Sequence, residues 1–330
     1  MKKQIIAISL VAALVLGACG ASTSQTPTTD ATPNSVTLLA YDAFTPEKGI
    51  FDDFTAETGA QVKVVTAGDT GTMVSKAVLT SGNPEGDVMW GVDNTFLSRV
   101  TSAKVFDSFE PVDEGDVCIN YDKKWFATNK LDVPSTFDDL IDPQYKGLLA
   151  VQDPVTSSPG LAFLLATITK FGETGWEKYW SSLLTNDVHI SPDWTTAYTK
   201  DFTIAGGKHP MVVSYGSSPP AEVVYSATPI SEPPTGVIES TCFRQIEYAG
   251  VLRGTKNPNN ARKLVDYLIG KKFQESMPLT LFVFPVNKEA VLPKVFQDFA
   301  VRPSNPLTLT SDTIEKNRDK WLDAWRTLAL

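Results

Sequence analysis

The chain has 330 residues, 42% of them hydrophobic and 20% charged, with a formal net charge of -9 and a sequence pI near 4.9. That length and apolar share suit a globular body with a large core. The acidic balance excludes a nucleic-acid partner, which needs clustered Lys and Arg to neutralise phosphates, and raises the local concentration of cations.

The chain starts with Met1-Lys2-Lys3 and an apolar run over 5–16, too short for a spanning helix of about 20 residues. It closes in Leu16-Gly17-Ala18-Cys19, which resembles the cleavage and lipid-attachment box of bacterial lipoproteins. Residues 1–18 are therefore read as a signal peptide and Cys19 as the lipidated residue. Residues 19–35, mostly Ser, Thr, Ala and Pro, are read as a flexible tether. The mature protein is expected on the outer face of the cell membrane as a lipoprotein.

The body, 36–330, alternates short apolar runs with helical patterns, the signature of α/β architecture. Strands are predicted over 36–41, 61–66 and 87–92, with helices over 49–58 and 73–81 between them. A second unit begins near Tyr121: segment 145–154 leads into a strand, followed by helices over 161–171 and 176–184 and a strand over 211–215. A return strand is predicted over 246–251, then helices over 259–269, 273–276 and 314–327, the last with Trp321 and Trp325 on one packed face. The pattern gives two lobes joined by crossing segments, 36–120 with 246–330 and 121–245.

With Cys19 taken by lipid, Cys118 and Cys242 remain in an oxidising compartment, and the even remainder points to a disulfide, the alternative being two buried free thiols. Two sulfurs and two histidines, His189 and His209, do not make a usual four-ligand zinc site. No metal is expected, and each His is read as a surface or packing residue.

Several segments resemble the thiamine-binding group of solute-binding proteins of ABC importers. They are Tyr41-Asp42-Ala43-Phe44, Asp87-Val88 with Gly91-Val92-Asp93-Asn94, Gln152-Asp153-Pro154-Val155-Thr156-Ser157-Ser158-Pro159-Gly160-Leu161, Asp193-Trp194-Thr195-Thr196-Ala197-Tyr198, Ser214-Tyr215-Gly216-Ser217-Ser218-Pro219 and Phe284-Pro285-Val286, in order along nearly the whole mature chain. The resemblance implies a two-lobe, type II periplasmic-binding-protein fold, each lobe a mixed sheet flanked by helices with the ligand in the interlobe cleft. It implies capture of thiamine, thiamine monophosphate or thiamine diphosphate by lobe closure, as a monomer, for delivery to a permease coupled to an ATPase subunit. No cofactor is expected.

Carried over by position, the resemblance places ligand contacts on Asp69, Thr70, Ser157, Ser158, Trp194, Tyr215, Gly216, Ser217 and Ser218, with Tyr41, Asp93 and Phe282 beside them. Phe282 and Ala221 stand where enterobacterial members carry Trp and Tyr, so one aromatic wall is altered. The chemistry fits such a ligand: aromatic faces attract a thiazolium cation by roughly 0.5–2 kcal/mol each. Asp69 offers a counter-charge or an acceptor. Ser157 and Ser158 precede Pro159-Gly160 and a helix start, which suits a phosphate; on the residues alone they are equally N-caps, and Asp69-Thr70-Gly71 is equally a turn before a helix.

The competing functions are a binder of another organic cation, an iron(III) binder and an exported hydrolase. An iron site would favour neighbouring tyrosines, and Tyr215 is followed by Gly216. A hydrolase would need an oriented base, and no Gly-x-Ser-x-Gly elbow occurs. The chain is read as a binding protein, not an enzyme.

Overall fold

The computed structural model describes residues 35–329; the expected signal peptide, Cys19 and nearly all of the tether lie outside them. Nine strands occur among the described residues: β1 (Ser35–Ala40), β2 (Gln61–Thr66), β3 (Val88–Asp93), β4 (Phe106–Asp122), β5 (Leu149–Gln152), β6 (His189–Ser191), β7 (Met211–Tyr215), β8 (Thr235–Leu252) and β9 (Phe284–Pro285). They form one mixed sheet in the order β2-β1-β3-β8-β4-β7-β5-β6, with β9 on β4. The three strands at each end pair in parallel, whereas β4 and β8 run antiparallel to each other and to their outer neighbours. Two parallel β/α groups are thus spliced through a pair of long antiparallel strands.

Sequence reading anticipated only fragments of that pair. In β4, Asp107, Glu110, Pro111, Asp113, Glu114 and Asp116 interrupt any apolar alternation. Pro111 is accommodated where the β4–β8 register shifts, between Pro111 and Asp113. Another of the three shifts falls between Val117 and Ile119, and there Cys118 and Cys242 are joined in the expected disulfide.

Three helices accompany the first strands: α1 (Asp52–Thr58), α2 (Thr70–Leu79) and α3 (Leu97–Ser102). The second group carries α4 (Lys123–Asn129), α5 (Ser158–Phe171), α6 (Trp176–Thr185), α7 (Trp194–Thr196), continued as a π-helical turn over Ala197–Asp201, and α8 (Pro219–Val224). The C-terminal part adds α9 (Pro258–Ile269), α10 (Lys271–Thr280), α11 (Lys294–Phe299) and α12 (Ser311–Ala329). Helix α2 starts earlier than its apolar periodicity because Asp69 caps it, accepting from the Thr70 N–H at 2.7 Å. Helix α5 starts at Ser158 with Pro159 in its first turn, where the missing N–H costs nothing.

Both faces of the sheet are covered, which is why β3 is buried along its whole length. Val88 and Trp90 face α9 and α10, packing with Leu264, Leu268, Phe273 and Met277. Met89 and Val92 turn to the other face, whose core continues through Val213, Leu161, Trp180 and Trp325. Trp321 and Trp325 are both buried on α12, and the Trp325 ring meets Trp180 of α6 edge to face at 5.6 Å. Such a pair contributes roughly 0.5–1.5 kcal/mol beyond its buried area. No helix of the described residues is long and apolar enough to cross a membrane.

Candidate ligand-binding site

Loops at the strand ends of the two β/α groups face one another around a cavity of about 940 Å³. Its first wall is built by the loop after β1 and the start of α2. Tyr41 lies over β3, where Gly91 has φ +104 and a Cβ would fall 2.1 Å from the Tyr41 ring; only glycine suits both conditions. Asp69 ends the loop before α2, and Thr70 donates its hydroxyl to the Gly91 carbonyl at 2.9 Å.

The opposite wall is Trp194 with Tyr198, four residues apart and stacked at 5.0 Å with 12° between their planes. The Trp194 indole N–H donates to Ser214 Oγ at 3.0 Å, and Ser214 is linked to Ser218 at 2.9 Å. Tyr198 donates its hydroxyl to Glu222 Oε1 at 2.6 Å. Tyr215, at the end of β7, and Glu247, on β8, reach the cavity from the central strands. Phe282 closes a third side in the left-handed region, φ 56, which is rare for a bulky residue, and meets Tyr225 edge to face at 5.5 Å.

Direct bonds tie the two walls together. The Trp194 N–H donates to Asp69 Oδ2 at 3.1 Å, and the Gly71 N–H donates to the Thr156 carbonyl at 3.0 Å. Ser158 donates to Asp93 Oδ2 at 2.5 Å.

Of the residues expected at the site, Tyr41, Asp69, Thr70, Trp194, Tyr215, Ser218 and Phe282 line the cavity. Asp93, Ser157, Ser158, Gly216 and Ser217 do not. Ser158 is buried because its hydroxyl serves Asp93, and Ser157 faces Asp69 from the same turn. Gly216 is held between the Asp116 carbonyl and the Val301 N–H, both at 2.8 Å. Sequence reading missed Tyr198, Glu222, Tyr225 and Glu247. Tyr198 was detectable from its i+4 spacing to Trp194.

The wall is acidic. Asp42, Glu47, Asp69, Asp193, Glu222 and Glu247 line it against the single cation Lys200. Burial lifts Glu247 well above the usual carboxyl range, aided by Asp113 and Asp93, and lifts Asp113 to about 7. Asp69 is raised by burial against the hydrogen bonds it accepts from the Trp194 and Thr70 N–H groups, and Glu222 is raised by burial too. Burial and the nearby Glu247 keep the Tyr41 and Tyr215 phenols protonated. Neither histidine reaches the cavity: His189 and His209 stack on each other at 4.5 Å. Among the described residues no group of three or more His, Cys, Asp or Glu is arranged to hold a metal ion. The site offers aromatic faces, hydroxyls and excess negative charge.

A sequence profile of the bacterial extracellular solute-binding proteins matches residues 91–306. The chain belongs to that family. It is similar to the thiamine-binding periplasmic protein of Salmonella typhimurium, 26% identical over 319 residues, covering 88% of this chain and 92% of the relative. The thiamine-binding periplasmic protein of Brucella suis is 27% identical over 322 residues, covering 88% and 91%. A solved periplasmic thiamin binding protein superposes with a TM-score of 0.80 over 90% of this chain and 96% of its own, at 23% identity. The fold is the two-lobe, type II periplasmic-binding-protein fold, and the cavity lies in its cleft. As a solute-binding protein the chain works outside the cytoplasm and takes up a small molecule rather than transforming it.

Proposed function

We propose that this chain captures thiamine or its phosphate esters and presents them to the permease of an ABC importer. The observation that carries the reading is the pairing of the Trp194–Tyr198 stack with an acid-rich cavity wall, in a cleft whose two sides are tied directly to each other. A cationic ligand built of flat rings meets all three properties: ring faces attract its charge, carboxyls offset it, and contact with both lobes favours the closed form. The similarity to proteins named as thiamine-binding supports the same choice. The acidic excess disfavours a phosphate or sulfate ion as sole ligand, and Tyr215 is followed by Gly216 rather than by the second tyrosine that a ferric site would favour.

In this mechanism the open form exposes Tyr41, Asp69 and Thr70 on one side and Trp194, Tyr215 and Ser218 on the other. Ligand bridges them, and the Asp69–Trp194 and Gly71–Thr156 bonds form on closure. Cys19 carries the lipid in this proposal, and the protein acts as a monomer. Replacement of Cys19 by Ala then releases the protein from the membrane fraction.

The test is calorimetric titration of the mature protein with thiamine, thiamine monophosphate, thiamine diphosphate and, as a control, ferric citrate. Tight binding of any thiamine form with silence from ferric citrate supports the reading. Silence from all three thiamine forms overturns it.

A further inference from the structure

Glu247 on β8 is the register partner of Asp93 on β3 and also of Asp113 on β4, so three carboxyls stand in a row across three adjacent strands. Directly opposed partners have Cβ atoms roughly 4.5–5.5 Å apart, and like charges so placed destabilise a sheet. The three are satisfied very differently. Asp93 Oδ1 accepts from the Thr95 N–H, the Thr95 hydroxyl and the Phe96 N–H, and its Oδ2 accepts from Ser158 and Gln245. Asp113 receives the Trp90 indole N–H on Oδ2 at 3.0 Å, and its Oδ1 has no hydrogen-bond partner. Glu247 is 4% exposed, has an unpartnered Oε2 and lines the cavity.

The groups acting most strongly on the row are acids, phenols and neutral donors. Glu247 faces Asp113, Asp93, Asp69 and the Tyr41 hydroxyl, and the Tyr215 phenol senses its charge. Asp113 faces Trp90, Glu114 and Asp93. The guanidiniums of Arg244 and Arg302 are engaged by Glu114 and Asp116 instead. Burying a carboxylate without a cation is costly, so neighbouring carboxyls share protons rather than ionise together. Burial raises Asp93 as well, but its five donors oppose that rise, whereas Glu247 and Asp113 have few, so the proton is held by the Glu247–Asp113 pair.

We propose that capture of an organic cation expels a proton from the Glu247–Asp113 pair into bulk solvent, so that binding by this protein is proton-linked. The inference rests on the cation-binding reading above. The ligand supplies the positive charge that the row lacks, the pair ionises fully, and the released proton is taken up by buffer. Burial already raises both groups, Asp113 to about 7, so the exchange falls in the neutral range. Affinity then rises with pH, by up to about tenfold per pH unit for one proton released.

The experiment is titration of the mature protein with thiamine at pH 7 in phosphate, HEPES and Tris, whose ionisation enthalpies differ, repeated from pH 6 to pH 8. The expected result is a buffer-dependent heat corresponding to net proton release and an affinity that climbs with pH. Glu247→Gln and Asp113→Asn, each checked for cooperative unfolding, lose the release and flatten the pH dependence; the two variants guard against one failing to fold. Thiamine binding with no buffer dependence, or with unchanged release in both variants, overturns the proton linkage alone. Absence of thiamine binding at every pH overturns the functional reading on which it rests.

Discussion

Replacing Trp194 by Ala isolates the aromatic wall from the rest of the site. Trp194 contributes three things: an indole face stacked on Tyr198 at 5.0 Å, an indole N–H donated to Ser214 at 3.0 Å, and a backbone N–H donated to Asp69 at 3.1 Å. Alanine retains only the last, so the tie between the lobes is kept while the ligand face is removed. The lost cation–π attraction is worth roughly 0.5–2 kcal/mol, and lost ring stacking about 0.5–1.5 kcal/mol more. At 1.4 kcal/mol per factor of ten, the midpoint of about 2 kcal/mol corresponds to about 30-fold weaker binding. Stability changes less, because Trp194 is only half-buried and Ser214 keeps its bond to Ser218 at 2.9 Å. The lost hydrogen bond costs about 1 kcal/mol, a few degrees in Tm for a protein of this size. Titration with thiamine beside differential scanning calorimetry separates the two effects. Trp194→Phe keeps a face and recovers part of the affinity. Equal affinity in wild type and Trp194→Ala removes the residue from the site.

Gly71→Ala places a Cβ 2.6 Å from the Val155 carbonyl oxygen and 2.7 Å from that of Thr156, so it props the lobes apart. Thiamine affinity falls more than tenfold with little change in the melting of the ligand-free protein, as titration and calorimetry check. Replacing both Cys118 and Cys242 by Ala opens a link between residues 124 apart and lowers stability by about 2–5 kcal/mol, read by guanidinium unfolding; an unchanged midpoint sinks the claim. Glu247 and Asp113 are both raised above the unfolded carboxyl value of about 4, Asp113 to about 7, so their stabilising contribution is fully present below pH 4; that of Asp113 is lost as pH rises through about 7, and that of Glu247 falls further as it ionises. Melting curves of the ligand-free protein therefore show destabilisation from pH 5 to pH 8 from this pair, and Glu247→Gln is less pH-sensitive over that interval. Tyr225, 69% exposed at the rim beside Phe282, can be truncated to Ala with negligible change in Tm but a severalfold loss of affinity; unaltered affinity places it outside the site.

Much of the architecture was legible because its signals are local. The alternation of 61–66 and the helical spacing of 176–184 each reflect one element packing on one face, and both recur as β2 and α6. The long strands β4 and β8 were not legible in full because their strand character comes from pairing with each other, a contact across more than 100 residues that overrides the acids and proline inside β4. The same distinction runs through the site. Trp194, Tyr215 and Asp69 sit in short motifs and emerge on the cavity wall. Ser158 sits in an equally distinctive motif, yet its hydroxyl is claimed by Asp93, a partner 65 residues away that no local pattern reveals. Glu247 went unnoticed for the converse reason: a lone acid in a strand acquires meaning only when β3 and β4 bring Asp93 and Asp113 to its two sides.

Under the proposed function the cleft recognises flat rings, one of them permanently charged, through both its aromatic faces and its carboxyls. Parallel titrations with thiamine and with thiochrome, its neutral tricyclic oxidation product, test the claim most directly. Thiamine is expected to bind tightly and thiochrome at least 100-fold more weakly, because the neutral compound keeps ring stacking but leaves the carboxyls without a counter-charge. Equal affinity for the two, or binding of thiochrome alone, contradicts it.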